Sequence, residues 1–276
     1  MNVTLEQLYD YIFKKSGRII SAYAPSFLQK TIDQRIYESG SKNLNDYFVY
    51  ICNEPNEVKK ILSALNISYS LFFRNTMDFA ILERFILPEL FRTQEIKNDS
   101  IRIWSTGCAE GQEPYSIMML ADDLSKKQSK SNPVMLFATD ISDIALKKAQ
   151  EGVYSAAMLQ QVKLNYIDTY FTRQNQDYIL CDIVKNNVMF SEYDLVNERT
   201  ASPPFGIFGG YDVITCCNLM IYYKPEIQKR ILLKLFSSLN NPGYLIVDNS
   251  ERSIVQAFNG FTQYSSLGNI FVKRTK

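Results

Sequence analysis

Trp104-Ser-Thr-Gly-Cys-Ala-Glu-Gly-Gln-Glu-Pro-Tyr-Ser116 is the stretch on which the fold turns. Ahead of it, Ile101-Arg-Ile-Trp-Ser105 is a short β-type run. Behind it, residues 112–126 carry apolar side chains at helical spacing. Between the two lies a turn with glycines at 107 and 111, and Pro114 stands near the helix start, where its missing N–H costs nothing. A strand running through a glycine turn into a helix is how an α/β ligand-binding unit begins.

The pattern repeats outward from this unit. Val134-Met-Leu-Phe-Ala-Thr-Asp140 is an apolar strand ending in an acid, and residues 142–151 follow as a helix. Asn187-Val-Met-Phe190 and Tyr211-Asp-Val-Ile-Thr-Cys216 are two more strands. A helix from about Pro225 to Leu239 is broken by Asn241-Pro-Gly243, and Tyr244-Leu-Ile-Val-Asp248 returns as a strand. Phe261 to Leu267 and Asn269 to Arg274 read as a closing hairpin. Strands alternating with helices predict a largely parallel sheet covered on both faces. Between Tyr170 and Tyr193 the rhythm fails. Two β-like pieces, Tyr178-Ile-Leu180 and Asn187–Phe190, stand where one crossover belongs, which predicts a small β excursion at about 170–193. The first 65 or so residues are helical throughout, with Leu5, Leu8, Ile12, Phe27, Leu28, Ile32 and Ile36 at helical spacing. The expected organisation is a helical domain over 1–66, a linker over 67–80 and a main domain over 81–276.

Composition narrows the chemistry. The 276 residues carry 30 Lys and Arg against 29 Asp and Glu, so no global field draws nucleic acid or an anionic membrane. There is no histidine, which excludes an imidazole base and, with no CxxC pair, a zinc site. The five cysteines are irregularly spaced and read as reduced thiols of a cytoplasmic protein. No apolar run approaches the roughly 20 residues a membrane span requires.

The turn also speaks about its ligand. Helix N-termini present unpaired N–H groups that suit anions, yet Glu110 and Glu113 lie in or beside this one. Carboxylates there repel phosphates and suit a cationic ligand, such as the ammonium and sulfonium of S-adenosylmethionine. Asp140, at the end of the next strand, is placed to hold ribose hydroxyls, as an acid does in dinucleotide sites. A purely structural reading also stands: both glutamates complement the helix dipole. Phe72, Phe73 and Tyr223 read as core, and Cys216 and Cys217 as buried thiols.

Several segments together resemble one family. Ser70-Leu-Phe-Phe-Arg74, the turn from Gly107 to Ser116, Ala138-Thr-Asp-Ile141, Gly152-Val-Tyr154, Cys216-Cys-Asn-Leu-Met-Ile-Tyr222, Pro242-Gly-Tyr244 and Asn249-Ser-Glu251 look like the chemotaxis receptor methyltransferases, the CheR family. The resemblance runs from about residue 5 to the C-terminus. It implies a Rossmann-like S-adenosylmethionine-dependent methyltransferase sheet, a small all-helical N-terminal domain and a small β subdomain. It implies methyl transfer to glutamate side chains on the helical cytoplasmic domain of chemoreceptors, by a cytoplasmic monomer. Carried over position by position, cofactor contacts fall on Ser68, Ser70, Arg74, Glu113, Asp140, Asp194, Leu195, Cys216 and Cys217. Arg74 and Tyr222 would face the reacting centre as orienting groups. The family meets acidic receptor helices with a basic N-terminal face, to which Lys14, Lys15, Arg18, Lys30 and Arg35 would correspond.

The chain departs from the family pattern at four positions. Ser68 and Ser70 stand for the usual asparagine and threonine, Asp194 for asparagine, and Cys217 for arginine. The last leaves a second reading open, a cofactor-binding relative of weak catalytic power that docks on receptor arrays. A nicotinamide-type oxidoreductase on a similar sheet is a third reading, which the glycine spacing and the acids in the turn disfavour.

Overall fold

The computed structural model describes residues 2–67, 70–97, 99–128, 133–196 and 210–274. The chain forms two compact units, one of residues 1–67 with 221–228, the other of residues 68–220 with 229–276.

The first unit holds α1 (Leu5–Ser16), α2 (Pro25–Glu38), α3 (Leu44–Asn53) and α4 (Glu57–Leu65). Thr4 and Gln7 form a capping box at the start of α1, and Gly17 ends it at a φ of 72°. The inward faces carry Leu8, Ile12, Leu28, Ile32, Tyr47, Ile51, Ile61 and Leu65, all buried. Arg35 is not part of an exposed basic face: it is buried, and its guanidinium grips Glu57 through Nε–Oε1 at 2.8 Å and Nη2–Oε2 at 2.9 Å. Tyr47 donates to the same carboxylate at 3.0 Å. Position 35 shares the helical face of Leu28 and Ile32, and that face packs inward. Lys14, Lys15 and Lys30 are exposed and Arg18 partly so. The excursion over 221–228 joins this unit by backbone bonds, Ala24 N–H to the Tyr222 carbonyl at 2.8 Å and Lys224 N–H to that of Ala22 at 3.0 Å.

The second unit opens with α5 (Thr76–Ile81), a single π-type turn and α6 (Leu87–Lys97). There follow β1 (Ile101–Thr106), α7 (Gln112–Gln128), β2 (Val134–Asp140), α8 (Asp143–Glu151), β3 (Val153–Ser155), α9 (Leu164–Tyr170), β4 (Phe171–Gln174), β5 (Asp177–Leu180), α10 (Asp182–Lys185) and β6 (Val188–Glu192). The rest is β7 (Tyr211–Cys216), α11 (Pro225–Ser238), β8 (Leu239–Val247), α12 (Arg252–Gln256), β9 (Phe261–Gln263) and β10 (Ile270–Lys273). The seven-stranded sheet runs β6-β2-β1-β7-β8-β10-β9. Its first five strands are parallel, and the expected hairpin closes it antiparallel. Spatially this is a doubly wound Rossmann-like sheet whose order reverses between β1 and β7.

The β excursion differs in extent from the sequence expectation. It is a separate three-stranded sheet, β3-β5-β4, spanning Val153 to Leu180. The run at 188–190 belongs instead to the main sheet, where β6 pairs in parallel with β2 from Leu136↔Val188 to Asp140↔Glu192. Val188 is buried, and a strand edge left beside β2 would carry unpaired N–H and C=O groups.

Candidate functional site

Register brings the carboxyl ends of five strands level. Thr106 lies opposite Thr139 on one side and Cys216 on the other, Cys216 opposite Val247, and Asp140 opposite Glu192. Ligands of such sheets bind beyond these ends, at the place where the strand order reverses. There the chain makes its least ordinary turns. Gly107, Ala109 and Gly111 all have positive φ, as do Phe73 before α5 and Asn218 after β7. Backbone held in that region by non-glycine residues marks segments that the surrounding structure over-determines.

The turn after β1 is pinned by the next strand. Cys108 N–H donates to the Thr139 carbonyl at 2.9 Å, and Ala109 N–H to Asp140 Oδ2 at 2.9 Å. Asp140 Oδ1 accepts from Ser142 N–H at 2.9 Å. The carboxylate predicted to meet the ribose is therefore fixed in orientation by two backbone donors. Gly111 is required by contact as well as by its φ of 91°, since a Cβ there would lie 3.0 Å from Ala149 Cβ. Glu110 already has a cationic partner, pairing with Lys148 at 2.6 Å.

Glu113, in the first turn of α7, straddles the reversal. Ser105 of β1 donates to its Oε1 at 2.7 Å, and Thr215 of β7 donates to the same oxygen. Burial pushes its carboxyl pKa up, and the hydroxyls of Thr215 and Ser105, the thiol of Cys217 and the charge of Arg74 draw it partly back. The Cys217 thiol donates to the Ile246 carbonyl at 3.8 Å, and burial and the nearby Glu113 and Glu251 carboxylates push its pKa well up. Cys216 is fully buried.

Arg74 is held by its neighbours. Phe73 N–H donates to Ser116 Oγ on α7 at 3.1 Å, and the Phe72 and Phe73 rings pack edge-on against Tyr154 and Phe79. Arg74 itself is exposed, within electrostatic reach of Glu113 and Asp248. Burial of Asp248 is outweighed by donation from Ser250 and Asn75 and by the charge of Arg74, so its pKa is lowered. Asp194 caps the turn after β6, accepting Val196 N–H at 2.9 Å, and the Leu195 carbonyl accepts Lys234 Nζ at 3.0 Å.

The structure thus gathers Arg74, Glu113, Asp140, Asp194, Leu195, Cys216 and Cys217 in one unit, at or next to the carboxyl edge of its sheet. Ser70 lies in the segment leading to Arg74, and Ser68 falls outside the described residues. Tyr222 groups with the first unit, its ring 4.9 Å from that of Phe27, and its place at a reacting centre rests on the resemblance alone. Three contributors, Ser105, Thr215 and Asp248, were given no role by sequence reasoning, and Glu251 entered only as part of the Asn249-Ser-Glu251 resemblance. Ser105 and Thr215 are ordinary strand residues that matter only through β1–β7 pairing. Asp248 and Glu251 form a capping box whose Asp-x-x-Glu spacing was legible.

A carboxylate bound by hydroxyls, a second carboxylate on the neighbouring strand end and a glycine turn suit a cofactor that combines a cationic amino acid with a ribose. Two carboxylates beside the turn disfavour a pyrophosphate. Residues 68–266 match the family model described as CheR methyltransferase, SAM binding domain, and the chain belongs to this family. It is an S-adenosylmethionine-dependent methyltransferase. A chemotaxis protein methyltransferase of Borreliella burgdorferi is 27% identical over 261 residues, covering 91% of this chain and 89% of the relative. Chemotaxis protein methyltransferase 2 of Vibrio cholerae is 28% identical over 245 residues, covering 88% and 83%. An uncharacterized 104.1 kDa protein of Rhodobacter capsulatus is 25% identical over 249 residues, and the chain spans 25% of that relative's length.

Proposed function

We propose that the protein methylates glutamate side chains on the helical cytoplasmic domain of a chemoreceptor, forming methyl esters in chemotaxis adaptation, and that it does so in the cytoplasm. The observation that carries this reading is the likeness, along about nine-tenths of the chain, to chemotaxis protein methyltransferases. The chemistry agrees with it. The cofactor supplies a methyl carbon on a cationic sulfur; a glutamate oxygen forms the new C–O bond in line, the S–C electron pair leaves with sulfur, and no proton moves. A glutamate with an ordinary pKa of about 4.3 is already an anion at neutral pH. A chain without histidine is therefore equipped for it.

What the protein supplies is alignment, the source of much of the rate in a bimolecular displacement. Glu113 and Asp140 hold the cofactor's amino acid and ribose ends. Arg74 forks onto a carboxylate, that of the cofactor or that of the acceptor. Tyr222 orients the acceptor. The exposed Lys14, Lys15 and Lys30 meet the acidic receptor helices.

The thiol at Cys217 favours one other reading, a docking module that binds cofactor but turns over poorly. Incubation with radiolabelled S-adenosylmethionine and chemoreceptor cytoplasmic fragments separates the two. Base-labile label on the receptor is expected, with Tyr222→Phe lowering turnover more than cofactor affinity. Cofactor binding without any transferred label would overturn the glutamate reading in favour of the docking module.

A further inference from the structure

Glu251 is fully buried, and four backbone N–H groups converge on it. Its Oε1 accepts from Leu219 at 2.8 Å and Met220 at 2.7 Å; its Oε2 accepts from Asn218 at 2.9 Å and Asp248 at 3.1 Å. Burial raises its pKa against the pull of these four donors. Three of the donors belong to the turn that leaves β7 at the carboxyl edge, immediately after Cys217. That turn holds Asn218 at a φ of 56°, and it sets the Leu219 side chain against Gly107 of the turn after β1. A Cβ built on Gly107 would meet Leu219 Cδ1 at 2.5 Å.

We propose that Glu251 is a positioning residue for the cofactor: by gathering the N–H groups of 218–220 it sets Leu219 against Gly107 and so fixes one wall of the cofactor turn. A left-handed residue in a short connection has many alternatives open to it, and a single carboxylate receiving three successive N–H groups removes them. The same capping box serves a second arm of the site, because Asp248 accepts from Asn75, the neighbour of Arg74. Both oxygens of Glu251 are taken up by these backbone donors, and its role is independent of which acceptor is methylated.

The test is calorimetric binding of S-adenosylhomocysteine to the full-length protein, its Glu251→Gln and Leu219→Ala variants and the double variant, with urea unfolding of each. Gln replaces one acceptor oxygen by an NH2 group, so two of the four N–H groups lose their partner. Glu251→Gln, compared where it remains folded, is expected to raise Kd on the order of tenfold, the fold-change that loss of about one hydrogen bond to a charged group converts to. Leu219→Ala is expected to do the same with little change in unfolding midpoint. The double variant is expected to be no worse than the poorer single one, because both changes act through one contact. A purely structural Glu251 would lower the unfolding midpoint and leave Kd alone, and that result overturns the proposal. So do independent, multiplying effects in the double variant. An unchanged Kd for Leu219→Ala overturns it even if Glu251→Gln fails to fold.

Discussion

At the scale of single residues, Asp140 does two things with one carboxylate. It ties the cofactor turn to β2 through Ala109 N–H and steadies the start of α8 through Ser142 N–H. A ligand hydroxyl arriving at that carboxylate meets an acceptor whose plane is already set, so little ordering remains to be done on binding. Hydrogen bonds to charged groups contribute about 1.5–3 kcal/mol. Asp140→Ala is therefore expected to raise the S-adenosylhomocysteine Kd by roughly 10- to 100-fold. Asn, which keeps one acceptor oxygen, should fall between. Titration calorimetry giving wild-type affinity for the alanine variant would remove the ribose assignment. Glu113 is tuned differently: hydroxyls from two strands converge on one oxygen, in an environment that disfavours its charge. A cationic ligand compensates for that environment, and a phosphate would not.

At the scale of elements, what could be read from sequence was what local spacing encodes. The run β1–turn–α7 is continuous in the chain, so its period, its glycines and Pro114 were enough. Asp140 was legible for the same reason, as an acid ending an apolar run. The β excursion was misplaced because strand partnership is not local: 188–190 looks the same whether it joins a small sheet or pairs with β2. The three residues of β3 are too few to show a period. Arg35 was placed on an exposed basic face by the resemblance, and a cation is rarely buried unless it is paired. The structure puts it between α2 and α4, forked onto Glu57 with Tyr47 of α3 donating to the same carboxylate. Such a network is costly to break from one side. Arg35→Leu strands a buried carboxylate and should cost about 3–5 kcal/mol, whereas Arg35→Leu with Glu57→Leu, which removes both charges, should cost much less. Urea unfolding of the two variants decides it. A double variant as unstable as the single one would show that the helices depend on the ion pair itself.

At the scale of the whole molecule, the absence of histidine becomes a kinetic statement. No side chain has an ordinary pKa between pH 5 and 8. The thiols at Cys108, Cys216 and Cys217 are pushed well above their usual value by burial, which keeps them out of the neutral range. The group expected to matter is Glu113, whose pKa is raised by burial and partly restored by Thr215, Ser105, Cys217 and Arg74. Its two consequences have opposite signs. A raised folded-state pKa favours the protonated form, so that contribution to stability is complete below the unfolded value of about 4.3 and is lost as pH rises through the folded one. On the proposed role of Glu113, cofactor affinity needs the carboxylate, so it should weaken as pH falls through the same raised pKa. A glutamate acceptor, as proposed, also protonates only on the acid side. The pH profile of kcat, measured with saturating cofactor so that the free cofactor's own α-amino titration at about 7.7–8.0 does not enter, is thus expected to have an acid limb alone and to stay flat from about pH 7 to 8.5, because no general base has to lose a proton. Glu113→Gln should weaken the cofactor at every pH and remove the share of the acid limb seen in cofactor binding. A bell-shaped profile in wild type, with an alkaline limb near neutrality, would mean that some group must stay protonated for transfer. Displacement by an ionised carboxylate would then no longer account for the rate.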